Sequence, residues 1–475
     1  MACACSDQPW NSPYPAADAH ESIYYSSFSE RPKHLDPVSA YSENEALFNA
    51  QIYEPVVQYH FLKRPYELVP LTATELPRAE YRDAAGQVLP EDAPSDAIAS
   101  VVYRIEIQQG IRFQPHPAFA QADDGSLLYH KLSDADLEDV HTLADFPQSG
   151  DRELTAADYV YQIKRLAHPH IHSPVAGFMG RYIVGLNELQ AKLKTRAGDG
   201  NGFIDLRDEE LDGARVIDRY TYEIRLKEKY PQFVYWLAMP FFSPIPWEAD
   251  RFYSQAGMKD RNISLDWYPV GTGPYMLTEN NPNRRMTLRR NPNFRGEPFP
   301  STGEPGDAEA GRLQDAGRMM PFIDGAIYSL EKEAIPAWTK FLQGYYDSSG
   351  IVSDSFDQAI QFSSDGDAQL TGEMRARDIK LATAVQASTS YMGFNMADDV
   401  VGGNSKRARL LRRAISIAVD YEELISIFAN GRGLPAQGPI PPGLFGHVDG
   451  EPGINPYVYE WTNGQARRRP IEDAR

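Results

Sequence analysis

Gly271-Thr-Gly-Pro-Tyr-Met-Leu277 leads, through the polar turn Asn280-Asn-Pro-Asn-Arg284, into Met286-Thr-Leu-Arg-Arg-Asn-Pro-Asn-Phe294. Two glycines and a proline within four residues specify a bend, because Gly reaches φ > 0 without penalty and Pro holds φ near −65°. Tyr275 and Leu277, and then Met286 and Leu288, alternate with polar residues. That pattern predicts strand, hairpin turn, strand, and a second bend at Asn291-Pro292.

Around this hairpin lies a chain of 475 residues, beyond the ~250–300 at which a single core stops growing, so two or more lobes are expected. An apolar content of 42% and 27 tyrosines suit a large folded protein. The net charge of −19 argues against nucleic acid and against a polybasic membrane patch. The two cysteines are Cys3 and Cys5, so the body of the chain can hold neither a disulfide nor a cysteine nucleophile. Met-Ala-Cys-Ala-Cys-Ser6 resembles the end of a bacterial lipoprotein signal and makes Cys5 the candidate lipidation residue, although no basic start or apolar stretch precedes it. No apolar run reaches the ~18 residues of a membrane span; the longest, Phe233 to Phe242, contains a proline.

In chain order, residues 1–21 read as a tether and Ile23 to Phe28 as a strand. Ser42 with Glu45 three residues on forms a capping box for a helix toward Tyr53. Val101, Tyr103, Ile105 and Ile107 alternate as a strand, with a second short one at Ile111 to Phe113. Residues 115 to 153 are acidic and weakly periodic, which predicts an exposed excursion. Thr155 to Asp158 opens a helix, and Val216 to Leu226 reads as one long strand. The prolines from 240 to 247 predict an extended crossing, and residues 300 to 320 a linker or crossing loop. Further on, Ile323 to Leu330 and Tyr391 to Met396 read as strands, and Ala337 to Tyr345 as a helix. A helix follows Ser405 and another follows Asp420, and Pro470 opens an element whose apolar face is unfinished.

No Gly-x-Ser-x-Gly, His-Glu-x-x-His, Walker loop or Gly-x-Gly-x-x-Gly is present. Asp199 to Asp208 has the glycine and late carboxylates of a calcium loop, but Ala197 stands at its first ligand position. His168-Pro-His-Ile-His172 sets three imidazoles in five residues without a carboxylate, and a helix-ending loop explains them equally well. The expectation is no metal, no cofactor and no catalytic residue.

The ordered pieces are similar to family 5 extracellular solute-binding proteins, the dipeptide and oligopeptide receptors of bacterial ABC importers. They are His34-Leu-Asp-Pro37 with Ile52-Tyr-Glu-Pro55, Tyr66 to Ala73, Tyr103 to Ile107 with Gly110 to Phe113, and Leu154 to Tyr161. Gly271 to Tyr275, Arg290 to Phe294 and Ala408 to Ile425 complete the set. The resemblance implies an α/β, two-lobed periplasmic-binding-protein fold of the large peptide-receptor type, with three domains of mixed sheets and flanking helices. Domain I would take residues 22–56 and 212–300, domain II 57–211, a crossing linker 301–317, and domain III 318–475. Domain III is shorter than in the family, so the chain is expected to be C-terminally incomplete, and the insertion at 115–153 departs from the family pattern.

What the resemblance implies for function is a non-enzymatic, monomeric, periplasmic receptor that closes over peptide and delivers it to permease subunits. The alternatives are a non-peptide solute (metal chelate, opine or sugar) or a carboxylate-based hydrolase. By position, the expected ligand residues are Tyr41, Ser42, Glu43, Thr272, Gly273, Ser390, Tyr391 and Asn395.

Overall fold

The computed structural model describes residues 14–197, 203–362 and 368–475. Two compact units form, one of residues 1–62 and 68–349, the other of residues 63–67 and 350–475.

The strands of the first unit are β1 (Ile23–Phe28), β2 (Val57–Tyr59), β3 (Leu68–Pro70), β4 (Ala79–Arg82), β5 (Ser100–Glu106) and β6 (Ala214–Val216). They continue with β7 (Thr221–Leu226), β8 (Tyr275–Asn281), β9 (Arg285–Arg290), β10 (Glu297–Pro298), β11 (Met319–Met320) and β12 (Gly325–Leu330). Its helices are α1 (Glu43–Ile52), α2 (Ala156–Arg165), α3 (Ala176–Tyr182), α4 (Leu186–Ala197), α5 (Phe233–Trp236), α6 (Trp247–Tyr253) and α7 (Ala334–Leu342).

One mixed sheet has the order β1-β12-β9-β8, with β1 parallel to β12 and the other pairs antiparallel. The β8–β9 hairpin is the one the sequence predicts: Leu277 pairs with Leu288, and Tyr275, Leu277, Met286 and Leu288 all face the core. β12 fills the slot between β1 and β9, so residues 325–330 belong to this unit, and the division between the two units falls at 349/350. The second sheet runs β4-β5-β7-β6, entirely antiparallel, with α2 packed beside β6 and β7.

Three expectations are corrected here. Val216 to Leu226 is a hairpin, not one strand: Ile217 N–H donates to Thr221 O, and Asp218 accepts from Tyr220 N–H, which turns the chain between β6 and β7. The segment 115–153 is not an exposed excursion, because Phe119, Leu137, Val140 and Phe146 are buried and Phe146 meets Phe252 of α6 at 5.1 Å. Its anchors sit at irregular spacing on short 3-10 turns, so neither helical nor strand periodicity reveals them. The run from Pro240 begins with a 3-10 turn (Pro240–Phe242) before it extends toward α6. Residues 299–318 do loop outward, but β10 and β11 pair across their base.

The second unit holds α8 (Phe356–Ala359), α9 (Gly372–Ala376), α10 (Lys406–Ala418) and α11 (Tyr421–Phe428). Two antiparallel ribbons accompany them, β13 (Ile360–Phe362) with β14 (Ala368–Leu370), and β15 (Tyr459–Thr462) with β16 (Gln465–Arg468). The predicted caps are present: Ser405 accepts from Ala408 N–H and Asp420 from Glu423 N–H. The expected strand at Tyr391 to Met396 does not form; Tyr391 is 87% exposed and no strand pairs with the segment among the described residues. Beyond Pro470 the chain makes only a 3-10 turn, Ile471–Ala474.

Candidate functional site

The bend at 271–273 is a backbone crossing. Gly273 N–H donates to Ile52 O at 2.8 Å, at the C-terminal end of α1. A Cβ on Gly271 would sit 1.9 Å from Ile52 O, and one on Gly273 would sit 2.7 Å from the Ile52 carbonyl carbon. Neither glycine has a positive φ, so these positions need glycine for space rather than for a left-handed conformation. Gln114 closes the other side, donating its N–H to Gly271 O at 2.9 Å and accepting from Gly271 N–H at 3.2 Å. The second half of the opening stretch locks the first: Asn291 donates through Nδ2 to Gly273 O at 2.9 Å and through its amide to Pro274 O.

Under this crossing lies a buried charge pair. Arg295 Nη1 donates to Glu54 Oε1 at 2.7 Å and Arg295 Nη2 to Leu71 O at 3.0 Å. Burial pushes the Glu54 carboxyl upward, and the Arg295 guanidinium opposes that shift. Thr272 is itself enclosed, 1% exposed.

The other end of α1 is open to solvent. Tyr41, Ser42 and Glu43 are exposed, Tyr41 to 72%. What fixes them is Glu45, whose side chain accepts from four backbone N–H groups: Lys33 and His34 at Oε1, Tyr41 and Ser42 at Oε2. Burial alone would raise this carboxyl, but the N–H donors outweigh it and hold it below the usual carboxylate range. The loop between those contacts is tied down by Asp36, which accepts from Arg165 Nη1 at 2.9 Å and Nη2 at 2.7 Å. Arg165 is 1% exposed and also meets Asp250 at 3.5 Å. Asp266 accepts from Asp36 N–H, and its carboxyl is raised by burial and by the Asp36 charge while His34 opposes the rise.

The expected residues therefore fall into three groups. Tyr41, Ser42 and Glu43 lie at one end of α1 and Thr272 and Gly273 at the other, about 15 Å apart along a ten-residue helix. Ser390, Tyr391 and Asn395 lie in the second unit, all exposed, with Asn395 accepting from Ala397 N–H. Sequence reasoning missed Glu54, Gln114 and Arg295, because each works through a partner distant in the chain. Cys5 and the start of the Asp199–Asp208 loop lie outside the described residues. Among the described residues, no three His, Cys, Asp or Glu side chains are placed to hold a metal, and no helix is long and apolar enough to cross a membrane. A cavity of about 320 Å³ beside the start of α2 contains none of the expected residues. Its base is Arg152 held between Asp158 and Glu248.

The model for the middle region of bacterial extracellular solute-binding proteins, family 5, matches residues 148–460. The periplasmic oligopeptide-binding protein OppA of Escherichia coli is 26% identical over 205 residues, 43% of this chain and 33% of that protein. The peptide transport periplasmic protein SapA of Salmonella typhimurium is 34% identical over 92 residues, 19% of this chain and 16% of that protein. The aligned stretches thus span a third or less of these curated relatives. Among solved structures, the periplasmic binding protein DppA of Helicobacter pylori, in complex with the peptide STSA, aligns with a TM-score of 0.56 at 15% identity, over 97% of this chain and 66% of that one. The murein tripeptide binding protein MppA of Escherichia coli aligns with a TM-score of 0.55 at 17% identity, over 92% and 63%. These likenesses show the fold: a periplasmic peptide-binding-protein architecture.

Proposed function

The chain belongs to the bacterial extracellular solute-binding proteins of family 5, and from that premise we propose that it is the substrate-binding receptor of an ABC importer for di- or oligopeptides. It captures them in the cell envelope and hands them to a membrane permease. The observation that carries this reading is the family match over residues 148–460, joined by relatives named for oligopeptide binding and peptide transport. The site agrees with it. Tyr41, Ser42 and Glu43 offer a ring, a hydroxyl and a carboxylate to solvent on a loop held by Glu45 and Asp36. Such a pre-organised edge binds without first spending free energy on ordering itself.

In this reading Thr272 and Gly273 set the local backbone shape through the Ile52 crossing, and Ser390, Tyr391 and Asn395 are separate ligand-residue candidates, exposed on the second unit. Mass spectrometry of small molecules that co-purify with the protein from its natural envelope tests the proposal. Peptides in the bound fraction support it, and exclusively non-peptide cargo overturns it.

A further inference from the structure

The cavity of about 320 Å³ beside the start of α2 lies wholly within the first unit and holds none of the residues assigned to peptide above. Its volume sits at the small end of the ~300–1,000 Å³ typical of small-molecule sites. Part of its wall is Arg152 and Glu153, the closing residues of segment 115–153, which the receptor reading does not use. The floor is fixed. Arg152 donates from Nε and Nη2 to Glu248, from both Nη atoms to Asp158 and from Nη1 to Glu153 O. Asp158 also accepts from Thr155 N–H, so this arginine and these two acids are fully engaged with one another and with the backbone.

The two arginines at the rim differ from the one in the floor. Arg207 is held by Asp205 through Nε and Nη2, and Arg219 by Glu153 through Nη2 and by Tyr220 Oη through Nε. Both guanidiniums are thereby oriented and half-exposed, yet the Nη1 of each has no protein partner among the described residues. Glu153, the third acid of the wall, accepts from Gly110 N–H, Tyr220 Oη and Arg219 Nη2. The hydrogen-bonding capacity left at the rim is therefore donor capacity on two cations, which suits an anion. The rest of the wall is apolar. Arg207 lies 3.6 Å from the centre of the Trp247 ring, which meets His130 of segment 115–153 at 5.8 Å. Tyr161 already gives its hydroxyl to Asp250 at 2.7 Å, so the Tyr161 ring, the indole and the Ala157 methyl supply carbon surface.

We propose that this cavity is a second ligand site, separate from the peptide site, for a small organic acid. The carboxylate of the ligand is received at the rim by the Nη1 donors of Arg207 and Arg219, and its flat apolar body lies against Trp247, Tyr161 and Ala157. A cationic ligand finds each acid of the wall already paired with arginine, and a bare inorganic anion gains nothing from the carbon surface. The site stands independently of the receptor reading.

Saturation-transfer NMR titration of the full chain with benzoate tests this, with benzamide as the neutral counterpart and acetate as the anion without the apolar body. Benzoate is expected to bind saturably, and benzamide and acetate about tenfold more weakly or worse. Arg219→Gln removes one rim charge and weakens benzoate about tenfold. Ala157→Leu fills the cavity while leaving every charge in place, and weakens it to a similar degree. Both side chains are exposed, and unchanged melting temperatures confirm that the variants fold. Failure of benzoate to saturate, benzamide or acetate binding as tightly, or an affinity that either variant leaves unchanged overturns the site. Peptide cargo is read by a separate measurement, so either proposal can fall while the other stands.

Discussion

The two units bury themselves by different means. The first closes two four-stranded sheets over a core that includes fully enclosed Phe48, Phe113, Tyr159 and Tyr222, and it stitches distant segments together with buried charge pairs such as Arg165 with Asp36. Among the described residues the second has only two-stranded ribbons, and while α8, α9 and α10 bury Phe356, Met374 and Ile417, its last helix keeps its apolar side chains in water. α11 has no buried residue, and Leu424, Ile427 and Phe428 are 41%, 60% and 71% exposed along one face. An isolated ribbon or short helix is marginal without a packed face, so stability is concentrated in the first unit. The comparison teaches where a substitution matters: a lost contact in the first unit's core strands a buried group, whereas one on the face of α11 changes a surface that water already reaches.

The largest effect expected is from Arg165→Ala. It leaves Asp36 enclosed without its cation, and breaking a buried pair in this way costs about 3–5 kcal/mol. Urea unfolding followed by tryptophan fluorescence should show the loss; a change under about 1 kcal/mol would mean that Asp36 is solvated and that the first unit is looser than its burial implies. Next is Gly271→Ala, whose methyl meets Ile52 O at 1.9 Å. The crossing must open, at a cost of about 1–3 kcal/mol, and the same denaturation measurement reads it. A neutral result would show that the bend yields without strain.

The third prediction concerns acid. His116 is fully buried; its Nδ1 accepts from Ala118 N–H and its Nε2 faces Tyr253 Oη at 2.7 Å. Burial lowers its pKa to about 3. The folded value lies below the unfolded one, so as pH falls through ~6.5 the unfolded chain takes up the proton first and stability drops. The loss at pH 5 is on the order of 2 kcal/mol, and it should disappear from the difference between pH 7 and pH 5 in His116→Gln. A pH dependence identical in the variant would assign the acid sensitivity elsewhere, with His168 the next candidate, because burial lowers its pKa to about 4 and the unfolded chain again takes up the proton first. The smallest effect belongs to the second unit. Phe428→Ser on the exposed face of α11 should shift stability by no more than about 0.5 kcal/mol. A loss of 2 kcal/mol or more would break the comparison, because it would mean that the face is packed in solution.

Elements whose instructions are local were legible in the sequence. Ser42 with Glu45 and Thr155 with Asp158 form the boxes that their spacing announces. The β8–β9 hairpin keeps its predicted alternation. The failures share a cause. The hairpin between β6 and β7 turns on the Asp218 side chain, which leaves the alternation around it intact and so invisible to period. The anchors of segment 115–153 follow no period because α6, not their own backbone, dictates where they point. Tyr391 to Met396 has the composition of a strand, but a strand needs a neighbour and none pairs with it among the described residues.

By itself, then, the sequence determined the family, the mixed α/β character and the bend at 271, because motif order, periodicity and capping chemistry reside in consecutive residues. Only the tertiary structure decided what the bend is for. Gly271 and Gly273 are small so that Ile52, more than two hundred residues earlier, can cross them, and Gln114 from one segment and Asn291 and Arg295 from another close around that crossing. Close approach, burial and charge pairing are properties of pairs of residues, and those pairs exist only once the chain has folded.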